Sequence, residues 1–240
     1  MHSSLEGDGS RVSGVGQELP RALEPYLERA LPDLENVPRR VRIRQDGQMW
    51  LKPGARPKHF TAVQEYGVDQ VAFVWRARFK IAGFATLRVV DRFRRGQGSL
   101  EARLFGSIPL TSEKGPAVSE GQAFRYLGEL PWVPQAFLAN HEIEFKELDA
   151  RHVEAATDAG GTRVALTIEL SEDGDVTGVS AEARPRLEDK GKPTPWSGSF
   201  ADYAELSGVR LPTKAEVRWD LPEGPFTYWS GEITGLDLIH

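Results

Sequence analysis

The stretch VAFVWRARFK, Val71 to Lys80, alternates without a break. Val71, Phe73, Trp75, Ala77 and Phe79 fall on one side and Arg76, Arg78 and Lys80 on the other. Side chains alternate across a strand with a period of two, so this run reads as a strand with one face on a core and one in water. The same rule extends outward. In FATLRVVDRF the face Ala85, Leu87, Val89, Asp91 and Phe93 opposes Arg88, Arg92 and the following Arg94. In TRVALTIEL, Val164, Leu166, Ile168 and Leu170 oppose Arg163, Thr167 and Glu169, and in TKAEVRWDL, Ala215, Val217, Trp219 and Leu221 oppose Lys214, Glu216, Arg218 and Asp220. Alternation this regular belongs to antiparallel sheets with one solvated face.

Turn signals punctuate these runs at Asp46-Gly47, Gly96-Gln97-Gly98, Gly160-Gly161, Asp173-Gly174 and Glu223-Gly224-Pro225. They divide the chain into roughly ten strands at hairpin spacing with no helix regularly inserted between them. A parallel α/β sheet is thereby disfavoured, and an antiparallel sheet of that size tends to curl. Two segments change to a helical period. QELPRALEPYLERALPDL, residues 17–34, is amphipathic, with Pro25 placed to bend or divide it. SEGQAFRYLGEL, Ser119 to Leu130, predicts a helix over about residues 117–130, ending in Pro131-Trp132-Val133-Pro134. The fold class expected is mainly β (α+β): one large curved antiparallel sheet, or half-barrel, wrapped around a central helix, with an N-terminal helix. Residues 17–240 read as a single curved-sheet domain.

Composition narrows the function classes. The 240 residues are 40% hydrophobic and 27% charged, with a formal net charge of −5 and no cysteine. These proportions are ordinary for a soluble globular protein. A net negative charge argues against a nucleic-acid partner, whose binding surface is basic. Without cysteine there are no disulfides, thiolate metal sites or cysteine nucleophiles. No apolar run is long enough to span a membrane as a helix. The opening MHSSLEGDGSRVSGVG, residues 1–16, lacks the apolar core of a signal peptide and reads as a disordered tail or the remnant of an appended tag. The expected location is cytoplasmic as the chain stands, and periplasmic if a signal or anchor belongs ahead of it.

Two motif sets carry a resemblance. SFADYAELSGVRLPTKAEVRW has the form F-x-x-Y-x-x-x-x-G-x-x-x-P before an alternating strand, at Phe200, Tyr203, Gly208 and Pro212, and resembles the late strands of lipoprotein-carrier (Lol-type) half-barrels. From about residue 37 to the end, the chain resembles an uncharacterised bacterial family. Its pattern is RYLxE (Arg125, Tyr126, Leu127, Glu129), W-x-P (Trp132, Pro134), PW (Pro195, Trp196) and YW (Tyr228, Trp229). The resemblance implies a curved sheet wrapped around a helix.

The residues able to carry chemistry are few. Arg125 and Glu129 stand at i and i+4. On a solvated face such a pair adds a few tenths of a kcal/mol to a helix, but this helix is the segment available to fill a concave apolar sheet. A pair carried inside must be hydrogen-bonded there or bear on a ligand. Asp91 is the lone acid on an apolar strand face. It either bonds a turn near a strand end or points into the cavity, where burial raises its pKa unless an arginine such as Arg125 pairs with it. A cluster of Asp91, Arg125 and Glu129 would form a polar floor to an apolar pocket, as ligand sites are commonly built. Trp75, Trp132, Trp196, Trp219 and Trp229, with Tyr66, Tyr203 and Tyr228, serve either core packing or a pocket for a hydrophobic or sugar-like ligand. His59, His141 and His152 lack metal-ligand spacing, and in NHEIEF, His141 and Ile143 share a predicted strand face. No metal site or cofactor is expected. No P-loop, G-x-S-x-G elbow or G-x-G-x-x-G is present.

Three functions remain open. The first is binding of an apolar or amphipathic small molecule, such as a lipid, with Arg125, Tyr126, Glu129, Trp132, Trp75, Trp196 and Trp219 as contacts. The second is a hydrolase using Glu129 or Asp91 as general acid or base and Arg125 to steady an anion. The third is a structural or interaction module. The oligomeric state is left open.

Overall fold

The chain lays down its sheet in two runs, and the computed structural model describes residues 19–31, 36–82 and 85–240 of it. The first run is β1 (Arg40–Met49), β2 (Lys58–Gly67), β3 (Phe73–Ala82), β4 (Ala85–Arg94), β5 (Gln97–Leu104) and β6 (Ile108–Lys114). The second is β7 (Glu144–Asp149), β8 (His152–Asp158), β9 (Arg163–Leu170), β10 (Val176–Arg186), β11 (Lys192–Leu206), β12 (Val209–Leu221) and β13 (Gly224–Ile239). Within each run every strand pairs antiparallel with its sequence neighbour, and β13 pairs with β1 to join the runs into one open, curved sheet of 13 strands. The expected curved antiparallel sheet is the observed one, with 13 strands among the described residues rather than roughly ten.

That order leaves β6 and β7 at opposite edges, although they are consecutive in sequence. The segment joining them must therefore cross from edge to edge. It contains α2 (Pro116–Gly128), a 3₁₀ turn (Leu130–Trp132) and α3 (Gln135–Ala139). Phe124, Leu127 and Leu130 are buried, as the helical period requires. This is the central helix around which the sheet wraps. Its crossing covers apolar strand faces that would otherwise meet water, the main driving force for the arrangement.

At one end the two halves touch. A Cβ placed on Gly96, in the β4–β5 turn, would lie 2.6 Å from the backbone nitrogen of Gly160, in the β8–β9 turn. Both glycines have positive φ, 70° and 72°, so glycine there serves the turn and the close approach together.

The N-terminal helix is shorter than its sequence pattern. A 3₁₀ turn (Arg21–Leu23) leads into α1 (Glu24–Ala30), with Pro25 in the first turn, so the proline divides the segment rather than bending one long helix. Tyr26 of α1 packs edge-on against Phe137 and donates to the Pro131 carbonyl at 3.1 Å, fixing α1 to the crossing segment. The expectations for residues 1–16, and for the flanks of this helix at 17–18 and 32–34, lie outside the described residues.

Two local expectations are corrected. Asp46-Gly47 is no turn: both lie inside β1, paired with Thr61 and Phe60 of β2. A Cβ on Gly47 would come within 2.7 Å of the Phe60 ring, so the glycine makes room for an aromatic. His141 is not a strand residue; it is exposed in the turn before β7.

Candidate functional site

The site begins as a row across three strands. Gln64 of β2 pairs with Trp75 of β3, which pairs with Asp91 of β4, so all three side chains stand side by side on the concave face. Burial is 0% exposed for Gln64, 4% for Trp75 and 7% for Asp91. Arg125 of α2 lies across this row. Its guanidinium sits 4.8 Å from the Trp75 ring centroid and 5.0 Å from that of Phe73. Nη1 donates to Asp91 Oδ2 at 2.8 Å, Nη2 to Gln64 Oε1 at 2.9 Å and Nε to Glu129 Oε1 at 2.9 Å.

The acceptors are completed from other elements. Glu129 Oε2 receives Gln64 Nε2 at 2.6 Å and the Tyr66 hydroxyl at 3.0 Å, while Asp91 Oδ1 receives Gln122 Nε2 at 2.6 Å. Every carboxylate oxygen of the pair thus has a donor, and one guanidinium serves both carboxylates. The helical spacing of Gln122, Arg125 and Glu129 puts all three on one stripe of α2. Glu129 is the residue at which that helix ends.

Electrostatics follows from burial. Desolvation raises the Asp91 pKa, and the nearby Arg125 charge and the bonds from Gln122 and Arg125 offset this only in part. Burial pulls Arg125 downward, but the Glu129 and Asp91 charges outweigh it and its pKa is raised. Desolvation, followed by the Glu129 charge, pushes the Tyr66 phenol well up.

Above this polar floor is a cavity of about 450 Å³ between the concave face and α2. Trp75, Trp132, Trp196, Trp219 and Trp229 all line it, together with aliphatic residues such as Val89 and Val179. Asp91, Arg125 and Glu129 line it too, so the proposed cluster and four of the proposed tryptophan contacts share one site. Trp132 is fixed by a bond from Nε1 to the Pro212 carbonyl at 3.0 Å and by edge contact with Phe200. Tyr126, expected as a contact, is not on the cavity wall. Its hydroxyl instead donates to the Gly67 carbonyl at 2.7 Å and accepts from Asn140 Nδ2 at 2.9 Å. Among the described residues no three His, Asp or Glu side chains gather as a metal-ion cage, and no helix is long and apolar enough to cross a membrane.

Sequence reading missed Gln64, Gln122 and Arg184. Gln64 carries the same signal as Asp91, a single polar residue on the apolar face Phe60, Ala62, Gln64, Tyr66. Arg184 is hidden by a bulge. Ala181 pairs with Trp196 but Arg184 with Thr194, so β10 carries one extra residue there. The extra residue turns Arg184 to the concave face, where strict alternation from Ala181 would point it outward.

The chain belongs to the family of unknown function DUF6544, whose model matches residues 14–231. Its fold is similar to that of a domain from Vibrio parahaemolyticus provisionally named an outer membrane lipoprotein-sorting protein. That match has 9% identity and a TM-score of 0.50, covering 90% of this chain and 91% of that one. A LolA superfamily protein from Nitrosomonas europaea matches at 10% identity and a TM-score of 0.46, covering 91% of this chain and 92% of its own. A β-barrel-like protein of family DUF1849 from Brucella abortus matches at 12% identity and a TM-score of 0.31, covering 85% and 99%. At these identities the likeness is one of fold. No curated protein matches the sequence.

Proposed function

For a member of this family with such a cavity, we propose that the protein binds a hydrophobic or amphipathic small molecule between its curved sheet and α2. The observation that carries this reading is the cavity itself: about 450 Å³, walled by five tryptophans over a buried polar cluster. Pockets for small molecules fall in the range of roughly 300–1,000 Å³ and combine apolar walls with a few convergent polar groups. A lipid is the leading ligand class. The name carried by the Vibrio neighbour points the same way, as a proposal only.

Native mass spectrometry of gently purified protein tests the reading. A co-purified amphiphile of defined mass that is lost on delipidation supports it. Protein that emerges empty, and takes up no long-chain amphiphile when offered, overturns it in favour of a structural or interaction module.

One observation favours a second reading as a hydrolase: burial raises the Asp91 pKa, the direction a general acid needs. Against it, both Asp91 oxygens are already held, by Gln122 and Arg125. Turnover of an ester, glycoside or phosphate panel that disappears in Asp91→Asn or Glu129→Gln would establish this alternative.

A further inference from the structure

Two guanidinium groups line the cavity, and they are treated differently. Arg125 is matched by two carboxylates. Arg184, on the β10 bulge, makes no ion pair among the described residues. Its Nη1 donates to the Tyr228 hydroxyl at 3.2 Å and its Nη2 to the Gly121 carbonyl at 3.0 Å, both neutral acceptors. The group lies over the rings of Trp196 and Trp219, with 4.5 and 5.5 Å to the centroids, and its Nε is buried without a partner. The packing therefore holds the cation in place but leaves its charge unmatched.

Tyr228 adds a second donor. Its oxygen accepts from Arg184 Nη1 and from Trp196 Nε1 at 3.0 Å. Those two bonds fill the lone pairs of a phenol and leave its O–H proton with no acceptor among the described residues. Tyr228 lines the cavity and stacks on Trp219 at 5.7 Å. The other carboxylates on the wall, Glu188 and Glu216, are exposed, and Glu188 stands 4.0 Å from Arg186 rather than against Arg184.

We propose that Arg184 and Tyr228 form an oxyanion site in the cavity wall, so that the ligand is an anionic amphiphile: an acyl or alkyl chain ending in a carboxylate or phosphate. The inference rests on the ligand-binding reading above and specifies its ligand class. A guanidinium presents a fork of N–H donors suited to either oxyanion, and bonds to an ionised acceptor are about twice as strong as neutral ones. The apolar side chains lining the rest of the cavity, such as Val89, Val179 and Trp75, are where the adjoining methylenes would lie.

Isothermal titration calorimetry with dodecanoate, dodecyl phosphate and dodecanol tests it. The wild-type protein is expected to bind at least one of the two anions about tenfold or more tightly than the alcohol. Arg184→Gln is expected to weaken the preferred anion about tenfold while leaving dodecanol within about twofold. Tyr228→Phe should cost the same anion about threefold to tenfold and the alcohol nothing. Whichever anion binds more tightly identifies the carboxylate or the phosphate as the natural headgroup. Dodecanol binding as tightly as both anions to the wild-type protein overturns the oxyanion site but not the ligand-binding reading. Equal losses for anion and alcohol in a folded Arg184→Gln protein do the same, since Arg184 would then be wall rather than recognition. Failure of all three chains to bind overturns both. Lys58 also lines the cavity, so the variants assign the wild-type preference to this site; if Arg184→Gln does not fold, Tyr228→Phe decides, and an unchanged anion affinity there overturns the site.

Discussion

The Arg125 guanidinium reaches Asp91 at 2.8 Å from across the cavity floor, one residue on the crossing helix and the other on β4. The row Gln64–Trp75–Asp91 determines where that contact falls, because three adjacent strands in register set three side chains in line. The guanidinium spans the line over the middle ring and bonds at both ends. Helix and sheet are thereby fixed to each other in rotation as well as in depth, which apolar packing alone specifies less sharply. A ligand entering the cavity meets a floor whose four carboxylate oxygens already hold donors.

Breaking this arrangement from its centre should be severe. Arg125→Met leaves two largely buried carboxylates without their cation, a class of change that costs about 3–5 kcal/mol. Urea unfolding should record that loss. Adding Asp91→Asn and Glu129→Gln to the same chain should recover much of it, since no uncompensated charge then remains. A triple variant less stable than Arg125→Met would show that the network acts through something other than charge balance.

Glu129→Gln isolates the negative charge at the end of α2. The amide keeps the shape and can still accept from Tyr66 or Gln64, so the fold should survive with a loss of about 1–3 kcal/mol. Ligand affinity should change modestly under the binding reading. A hydrolase relying on this carboxylate should instead lose about 10²-fold or more in rate. Melting curves and titrations on one preparation separate these outcomes.

How much of this was legible depends on the periodicity of each element. The strand faces, the central helix and the Asp91–Arg125–Glu129 cluster follow from periods of two and 3.6, and a lone acid on an apolar face is conspicuous. Gln64 obeys the same rule and could have been found by it. Arg184 could not, because one extra residue in β10 reverses which side chains face inward, and nothing local in Ala181-Glu182-Ala183-Arg184 announces it. Gly47 misleads for a different reason. Asp-Gly is a turn dipeptide, but here the glycine answers a ring on the neighbouring strand, a contact with no signature in its own segment.

Gly128, the last residue of α2, should resist substitution. Alanine there gains about 1 kcal/mol of helix propensity. Its Cβ, however, would lie 2.8 Å from Cη2 of Trp196, whose ring is held by the bond from Nε1 to Tyr228. Overpacking against a fixed ring costs about 1–3 kcal/mol, so the steric effect should win. Gly128→Ala is expected to melt earlier than the wild type and to bind a long-chain amphiphile more weakly. A variant that is more stable, with unchanged binding, would show that Trp196 moves freely.

The last prediction sets two aspartates against each other in acid. Asp91 has its pKa raised above the ordinary 3.8, chiefly by burial. In the interval between the unfolded and folded values the native state holds a proton that the unfolded state has released, so stability from this group falls as pH rises. Its contribution is fully present below 3.8 and is lost as pH climbs through the raised folded value. Asp175 is the reverse. Arg210 donates to both its oxygens, at 2.7 and 2.8 Å, and this bonding, ahead of the Arg210 and Arg29 charges, holds its pKa below 3.8. Its contribution is present above 3.8 and is lost as pH falls through the lowered folded value. Unfolding free energies of wild type, Asp91→Asn and Asp175→Asn across the acid range give the two differences directly. Wild type minus Asp91→Asn should decrease with rising pH above 3.8, and wild type minus Asp175→Asn should increase with rising pH below it. If both differences slope the same way, Arg125 compensates Asp91 as fully as Arg210 compensates Asp175, and the cavity floor is an ordinary ion pair rather than one strained by burial.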